Sequence, residues 1–469
     1  MDLPQDFLDR ADACAEYLAD EDGVLLISHI DADGLTSAGV ASLALDRAGV
    51  DHDTWFSKQL DANDLDDIEE EGYETVLFTD FGSGQLEEIA GRDFTPVVAD
   101  HHQPQGDTEH HLNPMLFDVD GGSEISGAGT AYVLARALGG TENRDLAPLA
   151  VVGAVGDMQN AREGELVGAN REILAEGVAE GVLEIGKDLN LYGRQTRPLP
   201  KLFEYSTDVF IPGISSDERG AIRFIENVGV DVKDEEGEWR RWVDLDEMER
   251  QTVMNALLEK CVAKGIDPTD IESLVGESYT LTEEPVGTEI REATEFSTLL
   301  NSTARYREAD VGFRVCKGER GATLEEARKL LRNHRRNLRN GIDYVDDNGV
   351  TTLDNLQYFD AGTEIQDTIV GIIAGMSYSL SGVSRARPII AFADSDEDKL
   401  EVEESKVSGR GTSTLVRKGL NLARVMEECS QEVGGEGGGH DIAAGATIPK
   451  AAQEDFVEAA DALVGEQLS

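Results

Sequence analysis

The sequence predicts an α/β protein with a parallel-sheet domain at its amino end, a mostly helical middle insertion, and a smaller mixed α/β domain at its carboxyl end. Three observations predict this. Short, wholly apolar segments alternate with helical ones up to about residue 185, the pattern of a parallel sheet buried on both faces. From about 200 to 340 the pattern turns helical and more charged, and after about 345 strand, turn and glycine-rich signals return. The expected boundaries are 1–195, 196–344 and 345–469.

Element by element, Gly23-Val-Leu-Leu-Ile-Ser28 reads as the first strand, followed by an Asp/Gly loop and a helix over Thr36 to Ala48. Glu74 to Thr79 is the second strand, ending in Asp80, and Thr95 to Ala99 the third, ending in Asp100-His101-His102. Leu245 to Lys264 and Thr323 to Asn340 have helical periodicity. Pro388 to Ala393 and Leu400 to Val402, joined by the acidic turn Asp394 to Asp398, suggest a β-hairpin. A helix over Leu415 to Val433 is closed by Gly434 and Gly435. Glu436-Gly-Gly-Gly-His440 and a last helix from about Ala451 complete the chain.

The 469 residues include 94 Asp+Glu against 41 Lys+Arg, a formal net charge of −53. That balance argues against a basic nucleic-acid coat and against docking on anionic membrane. The acidic residues are interspersed with patterned apolar stretches, so they describe a solvated surface rather than disorder. Such a surface suits molar salt, where the Debye length is about 3 Å, and a halophilic host is expected. Cys14, Cys261, Cys316 and Cys429 are scattered without a CxxC pair, which fits a reducing cytoplasm. The acidic, amphipathic start is unlike a signal peptide, and no apolar run approaches the ~18 residues of a membrane span. A cytoplasmic protein with no membrane partner is expected.

The strand ends carry the chemistry. His29-Ile-Asp31-Ala-Asp33-Gly34 places three ligand-type side chains at period two, which an extended segment would aim to one side, with Gly34 letting the chain turn into the next helix. Asp80, the Asp100-His101-His102 run and Asp157 add three more clusters, all expected at strand ends. Each alone has a structural explanation: a helix cap, a turn, an exposed loop. Together at one edge of one sheet, where such folds bind ligands, they form a mixed oxygen and nitrogen set that suits Mn2+. A purely oxygen set would lean to Mg2+ or Ca2+.

The ordered set HxDxDG, FTD, ADHH and GxVGD resembles the DHH phosphoesterase superfamily. Ser408-Gly-Arg410 and Gly437-Gly-Gly-His440-Asp-Ile-Ala-Ala-Gly445 resemble the phosphate-binding half of its RecJ branch. Phe210 to Ser215 and Glu295-Phe-Ser-Thr-Leu-Leu-Asn301 look like archaeal RecJ-type proteins. The likeness covers nearly the whole chain. Bacterial RecJ usually has Asp at the place of His29, so its substrate need not be shared.

The resemblance implies two divalent ions, Mn2+ favoured and Mg2+ the alternative. One would be held by His29, Asp31 and Asp80, the other by Asp33, Asp80, His101 and Asp157. It makes Asp100 the residue that orients a histidine ring and His102 a substrate-side group or general acid. Catalytic weight then falls on Asp80, Asp100 and His102. Gly437, Gly438 and Gly439 would form an anion-binding nest, with Ser408, Arg410 and His440 gripping a terminal phosphate. Thr36 and Ser37 are expected to open the helix after the metal loop, with at most a minor phosphate contact.

The implied activity is an exonuclease acting on single-stranded DNA or RNA in replication or repair, with 5′–3′ digestion of DNA favoured. Hydrolysis of RNA, short oligonucleotides or cyclic dinucleotides is the enzymatic alternative. A GINS-associated replisome module with little catalysis is the other, since RecJ-like folds include a replicative-helicase factor that has lost catalysis. Two further features stay open. Arg328, Lys329, Arg332, Arg335, Arg336 and Arg339 crowd one helix, either as a nucleic-acid footprint or as a salt-bridged face. Tyr205, Phe210, Trp239 and Trp242 are stacking candidates, with core packing the better expectation for most.

Overall fold

Val24–Ile27, Val76–Phe78 and Val97–Ala99 are buried throughout, as strands covered on both faces must be. They belong to a computed structural model that describes residues 1, 3–206, 209–395 and 403–468. The chain divides into two compact units, Met1–Arg328 and Lys329–Ser469.

In the first unit, α1 (Gln5–Ala19) leads into β1 (Gly23–His29), α2 (Ala32–Ala48), β2 (Asp51–Ser57), α3 (Ala62–Glu70) and β3 (Thr75–Thr79). The one-turn α4 (Leu86–Ile89), β4 (Thr95–Ala99) and β5 (His111–Leu112) follow. The five strands pair in parallel in the order β2-β1-β3-β4-β5, so the carboxyl ends of β1, β3 and β4 are neighbours. Helices α5 (Gly127–Gly139), α6 (Ala147–Gly156) and α7 (Gly168–Glu180) come next, α5 and α6 packing on α2. Close packing is possible because α2 is built from Ala, Gly and Ser as much as from Leu and Val, and nearly all of it is buried.

The middle region begins with β6 (Leu183–Leu189). Between β6 and its antiparallel partner β7 (Val275–Leu281) lie α8 (Leu199–Glu204), α9 (Glu218–Asn227), α10 (Glu247–Lys264) and α11 (Pro268–Ser273). These helices share a core that includes Phe203, Ile211, Trp242 and Leu257. Helices α12 (Ala293–Ala304) and α13 (Ala309–Cys316) then return to pack against α2.

Helix α14 (Ala322–Asn348) carries the chain into the second unit. There β8 (Thr351–Thr352), β9 (Gln357–Asp360), α15 (Asp367–Met376), β10 (Ile389–Asp394) and β11 (Glu404–Arg410) precede α16 (Ser413–Arg417) and α17 (Leu422–Glu432). The chain finishes with β12 (Glu436–Gly439), β13 (Ala443–Pro449) and α18 (Gln453–Leu468). The mixed sheet has the order β12-β13-β11-β10-β9-β8. On β10 the side chains alternate: Ile389, Ala391 and Ala393 pack with α15, whereas Ile390 and Phe392 pack with α17 and α18. Among the described residues no helix is long and apolar enough to cross a membrane.

Several expectations give way here. Helix α2 starts at Ala32, not Thr36, so His29, Asp31 and Asp33 are not one extended run. Thr36 and Ser37 are fully buried inside that helix, where Thr36 donates to the Ala32 carbonyl. Asp157 caps the end of helix α6 rather than a strand. The helix expected over Leu415 to Val433 is broken at Gly419, whose φ of 112° no helix accommodates. β10 does form an antiparallel pair, but with β11; Leu400 to Val402 and most of the acidic turn lie outside the described residues. Helix α14 runs on to Asn348, past the expected end. Of the four aromatics, Trp242 alone is core; Tyr205, Phe210 and Trp239 are exposed.

Candidate metal centre

The site grows out of three adjoining strand ends. His29 is the last residue of β1, and Asp31 is the N-cap of α2, its Oδ1 accepting from the Gly34 amide at 3.0 Å. Asp33 lies in the first turn of α2. Gly34 permits a close approach rather than a turn: a Cβ there would sit 2.2 Å from the His29 carbonyl oxygen. Asp80 follows β3 with φ 62°, a left-handed conformation that aims its side chain between β1 and β4.

Asp80 is the hub. Its Oδ2 lies 3.6 Å from His29 Nδ1, which is itself 3.2 Å from Asp31 Oδ2. Its Oδ1 lies 3.3 Å from His101 Nε2, which is 3.7 Å from Asp33 Oδ2. Candidate ligand atoms of His29, Asp31 and Asp80 all fall within 4.8 Å of one another, as do those of Asp33, His101 and Asp157. The two oxygens of one carboxylate thus face two separate groups.

Neighbouring residues hold these side chains. The Gly127 and Ala128 amides, at the start of α5, donate to the two Asp33 oxygens at 2.7 and 3.0 Å. A Cβ on Gly127 would lie 2.3 Å from Asp80 Oδ1, so only glycine fits. His101 Nδ1 is 2.6 Å from the Gly121 carbonyl, which makes Nδ1 a donor and turns Nε2 toward Asp33 and Asp80. Gln159 is buried and donates both to Asp157 Oδ2 and to the Gly121 carbonyl.

Asp100 has a different place. Its Oδ1 accepts from the His101 and His102 amides and lies 2.8 Å from His102 Nδ1, while Oδ2 accepts from the Ser83 amide. It therefore orients His102, whose ring is otherwise exposed. A cleft of about 280 Å3 beside it is lined by His29, Lys58, Phe81, Gly82, Gln85 and His102, among others.

The electrostatics describe a site that wants positive charge. Burial and the Asp80 carboxylate push the Asp33 pKa well above its ordinary value. Burial works against charging His29 and His101, yet the facing carboxylates raise both rings well above the usual imidazole range. Burial opposes the ionised form of Asp100 too, but its bond to His102 holds the carboxyl well below its usual value. Asp80 Oδ1 is buried without a hydrogen-bond partner. An orphaned carboxylate oxygen, an imidazole nitrogen aimed at two carboxylates and a mixed donor set all fit divalent cations.

In the second unit, β11 carries Ser408 and Arg410 on one face, beneath α15. A Cβ on Gly371 of α15 would lie 2.5 Å from Arg410 Nη2 and 3.0 Å from Ser408 Oγ. Ser408 registers with Gly445 of β13, and Gly445 with Gly438 of β12. Gly437, Gly438 and Gly439 are thus an extended edge strand, not the nest expected of them, because pairing with β13 spreads successive amides to alternate sides. His440 is exposed at the turn that follows, its amide donating to the Ala443 carbonyl.

The sequence alone does not single out several contributors as site residues, Gln159 among them. Lys58 follows β2, a strand too polar to stand out. The Gly127–Ala128 amides had a signal in Ser126-Gly-Ala-Gly129, a cap followed by small residues. Asn301 accepts from the Ala32 amide at 3.1 Å and so pins the start of α2 to α12. Arg305 caps α12; burial lowers its pKa while the nearby Asp31 charge raises it.

Three family models match parts of the chain. Residues 23–154 match the DHH family N-terminal domain, 191–275 the DHH-CID domain and 354–466 the DHHA1 domain. The uncharacterized protein MJ0831 of Methanocaldococcus jannaschii is 29% identical over 95% of this chain and 94% of its own length. The single-stranded-DNA-specific exonuclease RecJ of Bacillus subtilis is 25% identical over 32% of this chain and 21% of its own. Among solved structures, RecJ from Thermus thermophilus in complex with Mn2+ matches 99% of this chain with a TM-score of 0.59 and 17% identity. The chain spans 55% of that RecJ. CDC45 from Entamoeba histolytica matches 98% of this chain and 99% of its own, with a TM-score of 0.65 and 11% identity.

Proposed function

The chain belongs to the DHH superfamily, and on that footing we propose that it is a two-metal exonuclease that hydrolyses phosphodiester bonds of single-stranded nucleic acid. Digestion of DNA in the 5′–3′ direction, in replication or repair, is the favoured form. Support comes from the RecJ relatives; the observation that carries the reading is Asp80, one carboxylate whose two oxygens face two imidazole–carboxylate groups. His29 and Asp31 would hold one divalent ion with Asp80, and Asp33, His101 and Asp157 the other. Mn2+ is favoured over Mg2+ because two ligands are imidazoles. When bound, two such ions activate water and stabilise the attacking and leaving oxygens at phosphorus.

The chain's own residues do the rest. Asp100 fixes the His102 ring, so that His102 Nε2 can hand a proton to the departing oxygen. Lys58 lines the adjoining cleft and offers charge to a substrate phosphate. Ser408, Arg410 and His440 would bind phosphate in the second unit. Local cations let a phosphate bind although the net charge of −53 repels it at long range. The protein works in the cytoplasm of a halophilic host.

One observation favours a second reading, that of a GINS-associated replisome module: the likeness of fold to CDC45. Loss of catalysis should leave gaps among the metal ligands, and here each position carries a ligand-type side chain. The test uses 5′- and 3′-labelled single-stranded DNA and RNA with Mn2+ in molar KCl. Mononucleotides should leave from one end, and label retention gives polarity and sugar preference. Internal cuts, or no hydrolysis of any strand, would overturn the proposal.

A further inference from the structure

Helix α14 contains the densest run of basic residues in this chain. Between Ala327 and Ile342 there are six Arg or Lys residues and no Asp or Glu, in a protein with 94 acidic residues to 41 basic ones. The stretch lies outside all three family matches. Leu338, Ile342 and Val345 turn inward to a core with α15 and β10, and Leu331 is buried as well. At 100° per residue, Lys329, Arg332, Arg336 and Arg339 fall within an arc of about 80° on the opposite side, over about 15 Å of helix. All four are exposed.

Many cations elsewhere in this protein are neutralised, among them Arg47 by Asp145, Arg92 by Asp66, Arg240 by Glu249 and Arg424 by Glu428. On α14, Arg328 follows that habit, held by Glu289 and Glu325. Among the described residues, Lys329, Arg332, Arg336 and Arg339 have no ion-pair partner. A salt-bridged face therefore explains Arg328 and not the arc beyond it. Four unneutralised cations in a row, three of them guanidinium forks suited to phosphate oxygens, complement a polyanion.

We propose that the exposed arc of Lys329, Arg332, Arg336 and Arg339 binds the sugar-phosphate backbone of a single strand. The inference rests on the reading of this chain as acting on single-stranded nucleic acid. The arc makes no contact with bases, so it adds affinity for long strands regardless of sequence. It leaves the chemistry at the metal centre untouched.

The test compares wild type with a variant carrying Lys329→Gln, Arg332→Gln, Arg336→Gln and Arg339→Gln. Binding of a long labelled oligothymidylate is followed by fluorescence anisotropy in EDTA across a KCl series. Hydrolysis of a dinucleotide is followed separately with Mn2+. The variant should bind the long strand at least about 10-fold more weakly, and its salt slope should shrink by up to about 3, four contacts at ~0.7 each. Its dinucleotide turnover and thermal midpoint should match wild type, and an all-Lys variant should keep most of the affinity. Unchanged affinity and slope would overturn the inference and leave an acidic protein as the occupant of the arc. Parallel loss of dinucleotide turnover would overturn it too. If wild type binds strands through the arc but cuts none, the inference stands and the nuclease reading falls.

Discussion

Replacing Glu295 by Gln should change how stability responds to pH. Glu295 is fully buried on α12, where its carboxylate accepts from the Gln195 amide at 2.7 Å and from the Thr196 hydroxyl. Burial, with Glu292 close by, outweighs those bonds and pushes its pKa from 4.5 up to about 7. The folded state therefore holds a proton that the unfolded chain has released between pH 4.5 and 7. Stability is fully present below pH 4.5 and is lost as pH rises through 7, a shift of about 2.5 pKa units or about 3 kcal/mol. Gln copies the protonated acid and cannot lose that proton. Urea denaturation at constant KCl, from pH 4.5 to 8, should show wild type losing about 3 kcal/mol more than the variant across this window. Two stability curves that stay parallel would refute the reasoning, because every other titrating group is common to both proteins.

Two further outcomes follow from the site and the surface. Asp80→Ala should remove Mn2+-stimulated hydrolysis, well beyond the ~10–100-fold loss that follows removal of an outer-sphere partner, while circular dichroism stays native; undiminished turnover would sink the two-metal assignment. Activity should rise with KCl over a range in which most nucleases lose affinity, and a steady fall from low salt upward would refute the halophilic reading though not the nuclease.

The parts of this protein that were legible in its sequence are those where one physical demand dominates. β1, β3 and β4 must be apolar on both faces, and they stand out. β2 escaped because Asp51-His-Asp-Thr lies at a sheet edge, where charge is tolerated and discourages pairing with other chains. The ligand residues were legible as types, but their convergence was not. It comes from a strand end, an N-cap and a first helical turn, and Asp157 arrives from a helix end. The glycines at 437–439 misled for a related reason: glycine permits both a nest and an edge strand, and pairing with β13 decides between them. Asn301 sits in a motif that the sequence does show, yet its partner, the Ala32 amide, lies 269 residues away, and Gln159 and Arg305 carry no local signature.

The left-handed backbone at Asp80 also bears on how this lineage can change. At φ 62° a residue without a short polar side chain is strained, and Gly, Asn and Asp are the natural tenants. Glu keeps the carboxylate yet lengthens it in a conformation it resists, so the chemically conservative replacement is the structurally awkward one. The easy mutational exits are Asn and Gly, and both discard the carboxylate charge that faces His29 and His101 while sparing the fold. A descendant can therefore shed the Asp80 carboxylate in a single step and keep every other use of its surface.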